Sequence, residues 1–593
     1  VLFLKELMSG NMAIARGAYE AGVTVGVGYP GTPSTEVLEN FARYPGVYAQ
    51  WSPNEKVALE VGIGASLGGA RVLVTMKHVG VNVAADPLFT LSYTGVNGGL
   101  VLLSADDPGM HSSQNEQDNR YYALMSKIPC LEPSDSQEAK DMVARALEIS
   151  EQFDTPVMLR TTTRVSHSQS MVQTAQRSVP EIKEYQKNPS KFVMTPANAR
   201  GRRVQVEERM EKLRRYSETC SLNTIHWGEK EVGIITSGIS YQYVREAAPR
   251  ASVLKLGLTN PLPENLIKNF AAQVSRLVVV EELEPFLETQ IKALGIKVMG
   301  KDILPGIGEL NPQIIARALK KAGIPVSERY RDAGPLPVDD AAPETPPRPP
   351  VLCAGCPHRA TFHVLRKLKL TVTGDIGCYT LGSMPPLSAM DTCVCMGAGV
   401  GMAHGMALAN PSMQNKAVAV IGDSTFLHSG VTGLMDVVYN GGSATVIIMD
   451  NRTTAMTGHQ EHPATGRTLM GQPAPEVDLE ALARSLGVKR VQVVDPLDIA
   501  RFEQVVKEET AAHEPSVIIA RHPCALLNKE RQQPVTVDAE LCIGCKLCLK
   551  LGCPAISGSG GVVEISAIQC SGCGLCASVC KQGAIKKGGQ KDA

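Results

Sequence analysis

Two runs of aliphatic and β-branched residues, Ala417–Gly422 (AVAVIG) and Ala444–Asp450 (ATVIIMD), carry no polar alternation. Strands covered on both faces of a parallel sheet read this way. The stretch between them suits a crossover helix, and a right-handed βαβ unit brings both strand ends to one edge of the sheet. The same rhythm recurs earlier in the chain. A helix is predicted over Asn11–Gly22, a strand over Val23–Gly28, and a helix over EVLENFARY capped by Ser34 or Thr35. Glu55 falls in the first turn of a Gly- and Ala-rich helix ending at Gly68–Gly69, with strands following at Arg71–Met76 and Gly99–Ala105. Val232–Gly323 alternates strand and helix again. The predicted fold class is α/β, with several doubly wound domains in series.

Two stretches break the pattern. Between Lys187 and Arg215 nine Lys/Arg face three Glu with little apolar periodicity, which predicts an interdomain arm holding one exposed helix near Gln205–Tyr216. The proline-rich run between Ala333 and Pro350 predicts an extended, semi-rigid spacer. Boundaries are therefore expected at 1–184, 185–227, 228–332, 333–350, 351–530 and 531–593.

Composition adds little beyond exclusions. Formal net charge is zero, which argues against nucleic acid or an anionic membrane as partner. No apolar run approaches the ~18 residues of a membrane span, VLFLKELM has no signal-peptide core, and a cytoplasmic location is the default expectation. Cysteine usage is the exception: of sixteen, half lie between Cys542 and Cys580, a metal-type clustering rather than a disulfide framework.

Candidate chemistry sits at the strand ends and in the cysteine runs. Asp423 and Asn451 end the two central strands, where a carboxylate and an amide oxygen suit a hard divalent cation holding a diphosphate; an ordinary turn with an acidic helix cap is the plainer alternative. The glycine-rich CVCMGAGVGMAHGMA has no clear strand ahead of it, so it reads as a phosphate-cradling helix start at Met396 and Gly397 rather than a dinucleotide fingerprint. Cys353 and Cys356 (CAGC), Cys378 (GIGC) and Cys524 form a possible set of four thiolates, for which zinc or unligated thiols are alternatives. The tail, CIGCKLCLKLGCP and CSGCGLCASVCK, carries the two-cluster ferredoxin spacing, in which the fourth cysteine of each motif ligates the other cluster. Cys542, Cys545, Cys548 and Cys580 then hold one [4Fe–4S] cluster, and Cys570, Cys573, Cys576 and Cys553 the second; zinc ribbons are the rival. One extra residue separates Cys548 from Cys553, which puts the reach of Cys553 in question. Arg120, in a polar loop with His111, could hold a substrate carboxylate, and His78 follows a strand.

The pattern G-D-S (Gly422, Asp423, Ser424), a crossover, then D-N (Asp450, Asn451) resembles the G-D-G…N-N signature of thiamine diphosphate enzymes, with Ser424 and Asp450 departing from it. NEKVALEVGIGAS and YPGTPST resemble segments of the 2-oxoacid:ferredoxin oxidoreductases, and the AMTGHQEHPATG stretch with His459 resembles the large subunit of the indolepyruvate-type enzymes. The resemblance implies a thiamine diphosphate site split between two domains. Asp423, Asn451 and the Thr453 carbonyl would bind Mg²⁺, with Gly377, Cys378, Met396, Gly397, Gly422 and Ser424 around the cofactor. Glu55 would hydrogen-bond the aminopyrimidine and Thr32 face the substrate. It also implies a pyrimidine-binding domain at 1–184, a transketolase C-terminal-like domain at 228–332, a diphosphate-binding domain at 351–530, and a third [4Fe–4S] cluster on Cys353, Cys356, Cys378 and Cys524. The implied reaction is oxidative decarboxylation of a 2-oxo acid to an acyl-CoA, with coenzyme A as co-substrate. Electrons pass to an external ferredoxin, and a smaller beta subunit completes a hetero-oligomer (αβ or α2β2). A relative using pyruvate or 2-oxoglutarate, or an electron-transfer subunit with an inactive site, are the alternatives.

Overall fold

The computed structural model describes residues 5–330, 349–527, 532–558 and 561–587. The chain forms two compact units, 1–344 and 345–593, so the expected segments fall into two groups. Most of the expected proline-rich spacer lies outside the described residues.

The first unit is built on a seven-stranded sheet. Its strands lie in the order Leu258–Asn260, Cys130–Leu131, Val157–Thr162, Leu100–Asp106, Val72–Lys77, Val25–Gly28 and Tyr48–Trp51. All neighbours are parallel except Leu258–Asn260, which runs antiparallel to Cys130–Leu131. Every residue of Val72–Lys77 and Leu100–Asp106 is buried, as continuous apolar runs demand. A second, four-stranded sheet orders Arg276–Val280, Glu229–Ser237, Ala251–Leu256 and Asn223–His226. Leu258–Asn260 follows the third of these directly yet joins the larger sheet, which ties the 228–332 block into the same unit.

The basic arm holds the expected helix, longer than foreseen: after a short helix at Pro189–Phe192 it runs 22 residues, Pro196–Ser217, capped by Thr195 and anchored by two buried arginines. Arg209 donates to Asp154 O at 2.8 Å and Ser92 O at 2.5 Å, and Arg202 to Tyr93 O at 2.6 Å. These two cations are spent on the preceding domain, while Arg203, Arg214 and Arg215 stay exposed and pair with Glu207 and Glu211 of the same helix.

The second unit holds a six-stranded, all-parallel sheet in the order Thr392–Cys393, Thr371–Gly374, Ala417–Gly422, Thr445–Asp450, Ser516–Arg521 and Arg490–Val494. Alternate residues of its central strands feed two cores. Val418, Val420, Ile447 and Met449 pack with Phe362 and Phe502 on one face, while Ala419, Ile421, Val446 and Ile448 pack with Phe426 and Leu434 on the other. The 531–593 tail adds two small antiparallel pairs, Thr536–Val537 with Ile585–Lys586 and Ile556–Ser557 with Glu564–Ile565. Among the described residues no helix is long and apolar enough to cross a membrane.

Candidate functional site

The expected βαβ unit is present in the second unit. Ala417–Gly422 pairs in parallel with Thr445–Asp450, Gly422 opposite Met449. The connecting helix starts at Asp423, runs through a π-helical turn at Phe426–Gly430 and ends at Tyr439; such turns gather at functional sites. Asp423 is buried and its carboxylate spans to the next strand end: Oδ1 accepts from Ser424 N at 2.8 Å and Oδ2 from Arg452 N at 2.8 Å. Asn451 and Thr453 are buried beside it, with Thr453 N donating to Asn451 Oδ1 at 3.2 Å, and Ser424 Oγ takes a bond from Thr454 Oγ1 at 2.9 Å. His462 Nε2 lies 3.2 Å from Asp423 Oδ2 without hydrogen-bond alignment. His358 Nε2 is 3.4 Å from Asn451 Nδ2, and burial lowers the His358 pKa to about 4 despite Asp423. The imidazole is therefore neutral near pH 7. A buried carboxylate and amide oxygen at adjoining strand ends are hard-ion donors, the type that Mg²⁺ takes. Asp450, beside them, is raised by burial and by Asp423, and its salt bridge to Arg521 at 2.7 Å opposes that rise.

The glycine-rich turn lies against the same strands. Gly397 adopts φ +82 and begins the helix Ala398–Ala409; its N–H donates to Asp375 Oδ2 at 3.0 Å. A Cβ there would meet Ser429 Oγ at 2.3 Å, and Ser429 Oγ donates to Met396 O at 2.9 Å. The Tyr379 ring packs on both Gly377 and Gly422, where Cβ atoms would lie 2.3 and 2.7 Å from it, and its hydroxyl donates to Asp375. Asp375, which the sequence reading passed over, joins these turns; burial pushes its pKa up to about 8. A carboxylate directly after a strand was the available signal.

In the first unit, Glu55 is the first residue of the helix Glu55–Leu67, capped by Asn54 accepting from Val57 N at 2.9 Å. Its carboxylate is buried against Gly80, whose added Cβ would sit 2.6 Å from Glu55 Oε1. Thr32 is half-buried in the loop after Val25–Gly28, and its carbonyl accepts from Ser112 Oγ at 3.4 Å. His78 is fully buried, with Nε2 3.3 Å from Asn115 O. Arg120 does not have the role its polar loop suggested. It is 1% exposed and salt-bridged to Asp118 and, at 2.7 Å, to Glu281, with further bonds to the Glu282 and Glu284 carbonyls. Every nitrogen of that guanidinium is engaged within the protein.

The tail cysteines sort into two cavities. One is lined by Cys542, Cys545, Cys548 and Cys580, the other by Cys553, Cys570, Cys573 and Cys576. Gly552, at φ +65, ends the short helix Cys548–Leu551 in a left-handed turn, which absorbs the extra residue and swings Cys553 to the second quartet. Among the described residues no three His, Cys, Asp or Glu side chains gather closely enough for a single ion. Each quartet surrounds its own space. Burial raises the thiols of Cys356, Cys378 and Cys524, and the charge of Cys353 adds to the rise of each, so the four lie in one electrostatic neighbourhood. Cys524 Sγ lies 3.8 Å from His459 Nε2. The loop of Cys353–Cys356 rests on the tail: a Cβ at Gly355 would meet Ser571 Oγ at 2.2 Å. Arg359, buried, donates to the carbonyls of Leu352 and Cys353 on one side and of Leu551 and Gly552 on the other.

Residues 16–219 match the family described as pyruvate flavodoxin/ferredoxin oxidoreductase, thiamine diP-bdg. Residues 375–520 match the thiamine pyrophosphate enzyme, C-terminal TPP binding domain. Indolepyruvate oxidoreductase subunit IorA of Archaeoglobus fulgidus is 42% identical over 98% of this chain and 97% of its own length. IorA of Pyrococcus horikoshii is likewise 42% identical, over 98% of this chain and 97% of its length. A solved 2-oxoglutarate:ferredoxin oxidoreductase from Magnetococcus marinus aligns with TM-score 0.47 and 18% identity over 54% of this chain and 65% of that one. With near-complete coverage by such relatives and both thiamine diphosphate domains matched, the chain belongs to the IorA family of indolepyruvate oxidoreductase subunits, within the thiamine diphosphate-dependent 2-oxoacid:ferredoxin oxidoreductases.

Proposed function

We propose that this chain is the large subunit of an enzyme that oxidatively decarboxylates aryl 2-oxo acids of the indolepyruvate type. One 2-oxo acid, one coenzyme A and two oxidised ferredoxins give one acyl-CoA, one CO₂, two reduced ferredoxins and a proton. The observation that carries this reading is the 42% identity over 98% of the chain to proteins named indolepyruvate oxidoreductase subunit IorA. That designation as a subunit supports a smaller partner chain, in an αβ or α2β2 assembly.

In this reading Asp423, Asn451 and the Thr453 carbonyl would hold Mg²⁺, which would supply positive charge for a diphosphate, and Gly422, Ser424, Met396, Gly397, Gly377 and Cys378 would form the surrounding wall. Thiamine diphosphate, when bound, supplies a carbon that accepts the electron pair released as CO₂ leaves. Glu55 holds the proton at the aminopyrimidine ring, and Thr32 donates a hydrogen bond to the substrate. The two tail quartets and the Cys353, Cys356, Cys378 and Cys524 set hold [4Fe–4S] clusters, which accept electrons singly.

The test is anaerobic viologen reduction by the purified complex with coenzyme A and a panel of 2-oxo acids. Highest kcat/KM on arylpyruvates is the expected result. Activity on pyruvate or 2-oxoglutarate alone overturns the aryl assignment, and cluster reduction without any turnover overturns the enzyme reading.

A further inference from the structure

Lys77 ends the strand Val72–Lys77 at the carboxyl edge of the parallel sheet, where open α/β folds place their ligands. Its side chain is 8% exposed. Its ammonium donates to Ser112 O at 2.7 Å and Ser112 Oγ at 3.2 Å, both neutral acceptors. An ammonium has three donors, and among the described residues no carboxylate lies within ion-pair distance of this one. Asp107 acts on it only at longer range, its oxygens being taken by Ser112 N at 2.9 Å, Thr163 Oγ1 at 2.7 Å and Ser113 Oγ at 2.5 Å. Burial lowers the Lys77 pKa to about 8, which leaves it a cation at neutral pH. A buried cation without an anion is costly, so its retention points to an anion that arrives from outside.

The surroundings say which one. Gly31 rests on the lysine stem, where a Cβ would meet Lys77 Cβ at 2.9 Å, so the loop bearing Thr32 lies directly over it. Three residues beyond Lys77, Gly80 lies against the Glu55 carboxylate. The lysine segment therefore runs between the two residues assigned to substrate and cofactor chemistry. The other buried cations of this region are spent: Arg120 on Asp118 and Glu281, Arg160 on Asp106 and Glu132. Burial lowers the His78 pKa, and that ring is engaged by Asn115 O.

We propose that Lys77 binds the carboxylate of the 2-oxo acid substrate, a role that rests on the 2-oxoacid oxidoreductase reading above. The ammonium holds the group that departs as CO₂, and Ser112 fixes the direction in which it points.

The experiment compares an arylpyruvate with the matching aryl aldehyde, which carries no carboxylate and is oxidised to the same acyl-CoA with two electrons passed to viologen. In the complete enzyme, Lys77→Met is expected to lower kcat/KM for the arylpyruvate on the order of 100-fold, mostly through KM, and to leave aldehyde oxidation intact. Lys77→Arg is expected to recover part of the loss. Calorimetric binding of the unreactive 3-arylpropionate to the thiamine-loaded enzyme gives a second readout, expected to weaken by a similar factor in Lys77→Met. Equal losses on acid and aldehyde, an unchanged Kd for the arylpropionate, or a KM rise confined to coenzyme A overturns the proposal. A wild-type enzyme inactive on every 2-oxo acid refutes the functional reading instead, and the arylpropionate Kd still decides the lysine.

Discussion

At the scale of single residues the structure separates groups by what their surroundings allow. Glu55 is held at the first position of its helix by a cap that does not involve its side chain. Glu55→Gln keeps the shape and hydrogen-bonding capacity but removes the titrating proton. General acid–base roles contribute about 10²–10⁴-fold, so kcat should fall at least 100-fold with the thermal unfolding midpoint unchanged; unaltered turnover would remove Glu55 from the mechanism. Asp375 is a different case. Burial raises its folded pKa to about 8, against the bonds from Tyr379 and Gly397. The folded state then holds a proton that the unfolded state releases between about pH 4 and pH 8. Its contribution to stability is complete below that window and is lost as pH rises through 8. Asp375→Asn can accept from Gly397 N and donate to the Tyr379 hydroxyl, so its unfolding midpoint should vary less between pH 5 and 8 than that of the wild type. Parallel pH profiles for the two proteins would show that Asp375 is ionised in the fold.

At the scale of elements, the helix Pro196–Ser217 shows how a charged segment becomes structure. Arg209→Met would strand the carbonyls of Ser92 and Asp154. Unpaired buried polar groups cost about 1–3 kcal/mol each, so chemical denaturation should show a loss of about 3 kcal/mol in the transition of the first unit. A change below about 0.5 kcal/mol, the level of a neutral surface substitution, would mean the helix is only loosely docked. That anchoring was not legible beforehand, because the backbone acceptors of Arg202 and Arg209 lie 55 to 117 residues away along the chain, and composition alone reads a basic run as solvated. Arg120 misled for the same reason: Glu281, its partner, lies 161 residues on. The strand Leu258–Asn260 is too short to betray that it crosses to another sheet. By contrast, Ala417–Gly422 and Thr445–Asp450 were legible because burial on both faces removes every polar position, and the period-two division of their side chains between two cores follows. The edge where Asp423 and Asn451 meet then follows from topology alone. Asp375 did not, since a single acid after a four-residue strand has no periodic signal.

At the scale of the whole molecule, the two family matches fall on different compact units, while the cysteines with cluster spacing all belong to the second. Within that unit the Cys353–Cys356 loop and the Cys570–Cys573 loop are in contact through Gly355 and Ser571, and Arg359 fastens the Cys353 loop to the Leu551–Gly552 turn ahead of Cys553 by their carbonyls. Such packing seats the tail on the domain rather than leaving it on a free tether. Iron content reads the difference between the two ligand schemes. If all three quartets are filled, anaerobically purified protein should hold about twelve irons per chain, against about eight if only the tail is filled, at four per cubane. Cys353→Ser should then remove about four irons and leave the tail signals in electron paramagnetic resonance, while Cys553→Ser should remove about four from the tail and leave the Cys353 set. A wild-type value near eight that Cys353→Ser does not change would show that Cys353, Cys356, Cys378 and Cys524 stay as thiols, and electrons would then have to cross from the thiamine site to the tail directly. Because Arg359 bridges both segments, Arg359→Ala should lower iron in the Cys353 set and in the Cys553 set together; loss from one alone would mean the two are assembled separately despite their contact.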